Sequence, residues 1–365
     1  MADSHMKILM TADSVGGVWT YAVDLCRALG KLDIEVHLAV FGGYLNQGQK
    51  EQAESCQNIK CYESSFKLEW MEDPWEDIQK SRDWFASIYE EAKPDIIHFN
   101  NYALAGPQWN CPVITVFHSC VLTWWKAVKK ENAPESFNRY KTLVKNALGL
   151  SDIAIFPSKA MAEAAEDQYG EIANFKIIYN GSSPIPDQRN QKESFILCVG
   201  RLWDEAKNIT LLAQIAPHIS WPIYIAGSTE EPGSDTKVSF DGCHLLGNLP
   251  AGELRQVMQK AGIYIHPARY EPFGLAVLEA ANAGCPLVLS GIRSLQEIWG
   301  GNALYFDSGN PQAAVEICNS LIADEIYRRQ MSEKAVLKAK EYTAGKMAKK
   351  MASIYQDLKA KSDAN

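Results

Sequence analysis

Short apolar runs alternate with longer amphipathic or polar stretches along the whole chain, the pattern of parallel sheets joined by crossover helices. The first half predicts strands at "KILM", "EVHLAVF", "DIIHFN", "PVITVFH", "IAIFPS" and "KIIYN". The second half repeats the scheme with "FILCVG", "PIYIAG", "IYIHPA", "PLVLS" and "ALYF". The expectation is an α/β protein of two doubly wound, Rossmann-like domains in tandem, residues 1–185 and 190–344. Between them "NGSSPIPDQRNQKES", Asn180 to Ser194, gathers Pro, Ser, Gly, Asn and Gln with no hydrophobic period, which reads as a linker beside a ligand crevice. From about Asp324 the chain turns helical. In a helix of about 345–361, Met347, Met351, Ile354, Tyr355 and Leu358 share one apolar face, so this helix must dock, and it is expected to return to the first domain.

Composition narrows the class. The 365 residues are 22% charged and 47% apolar, as in globular chains, and are enough for more than one core. No apolar run reaches the roughly 18 residues that cross a bilayer. "MADSHMKILM" lacks the basic and long apolar regions of a secretion signal, and its "SHM" reads as a cloning scar before Met6. The nine cysteines form no CxxC pair; Cys111, Cys198 and Cys285 fall at or inside strand-like runs and read as reduced thiols of a cytoplasmic protein, peripheral to the inner membrane face at most. A net charge of −8 argues against nucleic acid as partner. The charge is uneven: residues 1–185 hold 17 Lys and Arg against 24 Asp and Glu, whereas residues 186–365 hold 19 against 20.

Ligands of parallel sheets bind beyond the carboxyl ends of the strands, so the residues after each run are the candidates. "TADSVGGVWTYAVDL" places Gly16 and Gly17 before an amphipathic helix, where backbone N–H groups can approach a phosphate, although a tight strand-to-helix turn would also explain them. "VFHSC" sets His118 at a strand end before a long segment, Ser119 to Ala133, read as irregular and as a site mouth. "IIHFNN" gives His98 and Asn100 a similar place, and His266 in "IYIHPA" is read as structural. In "CVGRLWDEAKNI", Arg201 follows the strand's Gly200, and Lys207 comes as a helix begins. Two such cations can clamp a diphosphate; alternatively, the turn is solvated, with Asp204 and Glu205 pairing locally.

The stretch "YEPFGLAVLEAANAGCPLVLSGIR", Tyr270 to Arg293, is the most informative. Pro272 suits a helix entry, and Phe273, Gly274 and Leu275 would leave unpaired N–H groups at its start, with Glu271 just before it. Glu279 is the only charged residue between Glu271 and Arg293, on a helix whose Leu275, Val277, Leu278, Ala280 and Ala281 leave hardly any polar face. A buried carboxylate needs partners. They are either an arginine elsewhere in the chain or the vicinal hydroxyls of a sugar, which one carboxylate can accept together.

Taken together, these segments resemble the retaining GT-B-fold glycosyltransferases, in particular glycosyltransferase family 4. "EPFGLAVLE" matches the E-x7-E motif, "GRLWDEAK" the Arg and Lys pair, "SVGGVWTY" the N-terminal glycine loop, "VFHS" the strand-end His and "SGIRSLQEI" the segment that follows, nearly the whole chain in order. The resemblance implies a two-domain enzyme whose co-substrate is a nucleoside-diphosphate sugar, UDP- or GDP-linked, with no cofactor. It assigns Arg201 and Lys207 to the diphosphate, assisted by backbone N–H groups at Gly17, Gly274 and Leu275, with Gly16 and Phe273 also at the nucleotide sugar. Glu271 is assigned to hydroxyls of the transferred sugar, Glu279 to the ribose, and the strand-end Gly227 to the nucleotide sugar. The loop "LLGNLP" near Leu249 would edge the base, and His118 would face the sugar. One departure is the Arg-to-Lys interval, six here where many members have five.

The leaving nucleoside diphosphate gathers charge as its bond breaks, and cations with helix-terminal N–H groups stabilise that state above the ground state. The chain offers no DxD motif to hold a metal. With no evident nucleophile, front-face attack is preferred, and retention is implied by the resemblance alone. The acceptor, a hydroxyl of a glycan, small molecule or lipid-linked saccharide, is expected at the first domain. There Leu122 to Gly149 holds six Lys and Arg against two Glu beside Trp124 and Trp125. This is either a membrane-interface segment or a tryptophan pair that stacks on the acceptor; the soluble or weakly peripheral reading is preferred because the domain is acidic. Two rivals remain. A sugar-nucleotide epimerase of the same architecture would release no free nucleotide in the presence of an acceptor, and a non-catalytic nucleotide-sugar binder would turn nothing over.

Overall fold

A computed structural model describes residues 5–183, 191–229 and 240–364. Residues 184–190 of the expected linker, and the domain boundary placed there, lie outside the described residues, as does most of the sequence before Met6. The chain divides into two compact units: Met1–Lys126 with Glu131–Ser183 and Ala344–Asn365, and Ala127–Lys130 with Pro184–Thr343.

The first unit is built on seven parallel strands: β1 (Met6–Asp13), β2 (Ile34–Phe41), β3 (Ile59–Glu63), β4 (Ile96–Phe99), β5 (Val113–Val116), β6 (Ile153–Phe156) and β7 (Phe175–Ile177), in the order β3-β2-β1-β4-β5-β6-β7. The central strands are buried on both faces, which is why they read as unbroken apolar runs. Leu9, Ile97 and Phe99 of the sheet pack with Phe85 and Ile88 of the helix Trp75–Ala92. The C-terminal helix Ala344–Asp363 also belongs to this unit: it buries Met347, Met351, Ile354 and Tyr355, packs on the helix Gly17–Gly30, and pairs Lys359 with Asp95 at 2.7 Å.

The second unit holds six parallel strands: β8 (Glu193–Val199), β9 (Ile223–Ala226), β10 (Cys243–Gly247), β11 (Ala261–His266), β12 (Leu287–Ser290) and β13 (Leu304–Phe306), in the order β10-β9-β8-β11-β12-β13. Its core joins Ile196 and Cys198 to Ile263, Ile265 and Val288. Strand order reverses between β1 and β4 in one sheet and between β8 and β11 in the other. Those reversals are where an open α/β sheet leaves a crevice at its carboxyl edge.

The sequence pattern misses two strands, β3 and β10. Both are edge strands with mostly half-exposed or exposed residues, so neither carries an apolar run. The segment Ser119 to Ala133, expected to be irregular, instead forms the helix Val121–Lys129. All nine cysteines are free thiols; Cys198 and Cys285 are buried, while Cys111 is only half-buried. Among the described residues no helix is long and apolar enough to cross a membrane.

Candidate functional site

The second unit gathers its candidates at the reversal between β8 and β11. Gly200 directly follows β8, and the turn after it carries Arg201 and, on a short 3-10 turn Glu205–Lys207, Lys207. Asp204 shapes this turn with both oxygens: Oδ1 caps the Ala206 N–H at 3.0 Å, and Oδ2 accepts from Arg201 Nη2 at 2.7 Å. The Arg201 side chain remains 42% exposed, with its guanidinium 5.3 Å from the Trp203 ring centre. Its buried Nε has no partner among the described residues. Arg201 is thus held by a local acid yet presents its outer edge to solvent.

Gly227, at the end of β9, has a reason of its own. A Cβ there would sit 1.7 Å from the Gly200 carbonyl oxygen, and its φ is +143°. Only glycine lets the Gly200 backbone pass this closely, so Gly227 supports the turn that carries Arg201. Leu249 is half-buried in the loop after β10.

Lys207 meets the opening of the Tyr270–Arg293 stretch. Its Nζ lies 2.7 Å from Glu271 Oε2, and His266 Nε2 lies 3.0 Å from the same oxygen. Among the described residues no hydrogen bond reaches Glu271 Oε1. Burial pushes the Glu271 carboxyl up, but the Lys207 charge and the His266 hydrogen bond outweigh it and hold the carboxyl well below the usual carboxylate range. The Ser294 hydroxyl donates to the Glu271 carbonyl and fixes the backbone. His266, read from sequence as structural, is therefore a direct partner of Glu271. Burial lowers its pKa, only partly countered by Glu271, and its Nδ1 is buried without a partner among the described residues.

The helix after Glu271 begins at Leu275, not at Phe273, with Gly274 at the N-cap in the left-handed region (φ 90°, ψ 63°) and no side-chain cap. The first N–H groups of this helix are left for other acceptors. The Phe273 side chain packs edge-on against Tyr342, ring centres 5.7 Å apart, and is 2% exposed, which leaves only its backbone for a ligand. Glu279 is half-buried rather than enclosed, and it is not without a partner. The expected full burial of Glu279 is corrected: one flank of the helix stays open.

The first unit has its own cluster at the reversal between β1 and β4. The helix Gly17–Gly30 follows β1 with Gly16 at its N-cap and no side-chain cap. Asn100, just beyond β4, donates from Nδ2 to the Thr11 carbonyl at 2.7 Å. This bond fixes which end of the amide is oxygen. Asn100 Oδ1 then lies 2.8 Å from His118 Nε2 and 3.2 Å from His98 Nε2, so each of those nitrogens must carry a proton. His98 Nδ1 in turn accepts from the Tyr355 hydroxyl at 2.7 Å. His118 is left with Nδ1 as an acceptor. Burial, with a smaller push from His98, lowers the His118 pKa to about 3, and burial lowers that of His98 to about 4, so both rings are neutral. Tyr21 packs edge-on against His118 at 4.5 Å. Asp13, at the end of β1, is buried with Oδ1 unpartnered among the described residues, and burial raises its pKa, aided by Glu69. Sequence reasoning did not single it out, because an acid at a strand end looks solvated until the loops above it are known.

Trp124 and Trp125 are half-buried on the helix Val121–Lys129, their ring centres 5.7 Å apart, and the Trp125 Nε1–H points to Glu131 Oε1 at 3.3 Å.

The chain matches the family model "Glycosyltransferase Family 4" over residues 15–184 and "Glycosyl transferases group 1" over residues 184–338. A D-inositol 3-phosphate glycosyltransferase of Corynebacterium urealyticum is 33% identical over 131 residues, 35% of this chain and 30% of that protein; the match takes in less than a third of the relative's own length. Sucrose-phosphate synthase from Thermosynechococcus elongatus shares the fold with a TM-score of 0.79 at 18% identity, over 97% of this chain and 99% of the other. HepE from Anabaena, solved in complex with UDP-glucose, does so with a TM-score of 0.73 at 17% identity, over 97% and 100%. Two parallel sheets of seven and six strands with flanking helices are the GT-B architecture of these structures. With the two family models together matching residues 15–338, the chain belongs to the group 1, family 4 glycosyltransferases.

Proposed function

We propose that the protein transfers a hexose-type sugar from a UDP- or GDP-sugar to a hydroxyl of a saccharide, small molecule or lipid-linked glycan, with retention of configuration and without a metal ion. The observation that carries this reading is the Lys207–Glu271–His266 cluster at the carboxyl edge of β8 and β11, beside a helix start that lacks a side-chain cap. The cluster offers a cation and free N–H groups for a leaving diphosphate, next to a carboxylate kept ionised with Oε1 open to sugar hydroxyls. In this reading Lys207 and Arg201 stabilise charge on the departing phosphate, and the N–H groups of Gly274 and Leu275 add to them. Glu271 orients the sugar, Glu279 accepts from the ribose, and Leu249 borders the base. Gly227 acts through the Arg201 turn. The resemblance assigns Gly17 to the diphosphate and Gly16 to the nucleotide sugar. It assigns His118 to the sugar, which its acceptor Nδ1 suits, since a sugar hydroxyl is a donor.

The bond from the anomeric carbon to the phosphate oxygen breaks on the face where the acceptor oxygen bonds. The acceptor's proton passes to the departing phosphate, so no protein nucleophile is needed. HepE, whose fold this chain shares, was solved with UDP-glucose, which favours a uridine donor as the first to test. Trp124 and Trp125 are the candidate stacking surface for the acceptor. The test is a panel of UDP- and GDP-sugars scored by thermal shift and by slow nucleotide release without acceptor. One donor should both stabilise the protein and be hydrolysed; stabilisation without release would favour a non-catalytic binder, and no response to any donor would sink the reading.

A further inference from the structure

A pocket lies within the first unit, on the flank between two helices, with a volume of about 500 Å³. The helix Trp75–Ala92 gives it Trp75 and Arg82, two turns apart on one face. The helix Asn138–Leu150 gives it Arg139, Asn146 and Leu150, again one face, and the loop after β4 adds Gln108. The Arg139 guanidinium stacks on the Trp75 ring, 3.8 Å from its centre, and so ties the two walls together.

The charge here is unusual for its surroundings. Residues 1–185 carry more acids than bases, and the helix Trp75–Ala92 alone has five acids against two bases. Yet no acidic side chain lines the pocket among the described residues, and neither Arg82 nor Arg139 forms an ion pair there. A surface arginine without a task would be expected to lean toward one of those acids. These two instead converge on a concave surface, one of them with its face covered by an indole and its N–H edge left open. A stacked guanidinium loses little further freedom on binding, and its edge matches a carboxylate or phosphate. The amides of Gln108 and Asn146 can serve hydroxyls, while Leu150, 49% exposed, offers an apolar rim to the C–H face of a ring.

We propose that this pocket binds an anionic saccharide, a sugar bearing a phosphate or a carboxylate, through Arg82 and Arg139. A volume of this size accommodates one or two sugar rings and lies in the range of small-molecule sites. The proposal does not depend on the donor chemistry of the second unit, since all its residues lie in the first.

The test is equilibrium binding to the full chain of glucose 6-phosphate, glucuronate, glucose and inorganic phosphate, by calorimetry or ligand-observed NMR. Glucose 6-phosphate or glucuronate should bind saturably at millimolar concentration or below, with glucose at least tenfold weaker. Arg139→Gln and Arg82→Gln should each weaken the bound anion by roughly tenfold or more, the scale of a lost charge-assisted contact, with an unfolding midpoint close to that of the parent. Arg139→Lys, which keeps the charge but loses the fork and the stacking, should rescue only in part. No saturable binding of either anion, binding that survives both Gln variants, or phosphate alone binding as tightly as the sugar phosphate would each overturn the assignment.

Discussion

Lys207 and Glu271 lie 64 positions apart in sequence and form an ion pair of 2.7 Å, with only 16% and 11% of their side chains exposed. A pair this enclosed is coupled: remove one member and the other is left charged with little water to solvate it. Lys207→Met should therefore destabilise the fold by about 3–5 kcal/mol, and adding Glu271→Gln should restore most of that loss. Neither variant should transfer sugar, because both charges are assigned to the reaction. Urea unfolding of the two single variants and the double variant measures the coupling. Equal stability of Lys207→Met and the double variant would mean the pair does not act as a unit.

Arg201 is positioned differently. Asp204 pins it on one side, and its outer edge is exposed, so it can meet a ligand without supporting the fold. Arg201→Ala should lower turnover by roughly two orders of magnitude or more, the scale for losing one donor to a transition-state charge, with little change in unfolding. Turnover of the parent should persist in EDTA; its loss, with rescue by a divalent ion, would replace Arg201 and Lys207 by a metal as the main charge on the diphosphate.

The interior of both sheets was legible in the sequence because strands covered on both faces must be apolar throughout, as in β4, β5, β6 and β12. Edge strands β3 and β10 escape this rule, since water covers part of them. The site followed the same division. Strand ends and spacing pointed to Arg201, Lys207, Glu271 and His118, but pairings across the fold carry no local signal. His266 meets Glu271 only because β11 ends beside the turn after it, and the Tyr355 hydroxyl that orients His98 lies 257 residues away. A helical wheel read Glu279 as enclosed because it shows what a helix could bury, whereas the packing around the helix decides what it does bury.

Glu279 stands half-buried on the helix Leu275–Asn282. A half-buried position tolerates truncation better than an enclosed one, because no closed cavity is created. Glu279→Ala should leave the unfolding midpoint nearly unchanged while weakening binding of the nucleoside diphosphate by roughly tenfold, the loss of one or two charge-assisted hydrogen bonds. Titration calorimetry with UDP and with GDP reads this directly, and an unchanged dissociation constant would remove the ribose assignment.

His118, half-buried, and His98, buried, share the Asn100 carbonyl oxygen and are both neutral, with Tyr21 and Tyr355 as their other titratable neighbours. A histidine whose folded pKa is lowered stays unprotonated in the fold while the unfolded chain takes up a proton near pH 6.5. The unfolded state then binds more protons between pH 6.5 and the folded value of about 3 for His118, so its contribution to stability falls as the pH falls through that window. Asp13 and Glu69, raised by burial, act in the opposite sense, and the histidine's share must be read as a difference. Compared with His118→Gln, which keeps a hydrogen-bonding side chain but cannot titrate, the parent should lose about 1.6 kcal/mol of relative stability between pH 6.5 and pH 5, the slope rising toward about 1.4 kcal/mol per pH unit as the unfolded imidazole becomes fully protonated. Asn100→Asp, which sets a carboxylate against both rings, should raise both pKa values and flatten that loss. Denaturant unfolding at the two pH values decides between the outcomes: parallel stability curves for parent and His118→Gln would mean that His118 is not held neutral, and its assignment as an acceptor for a sugar hydroxyl would fall with it.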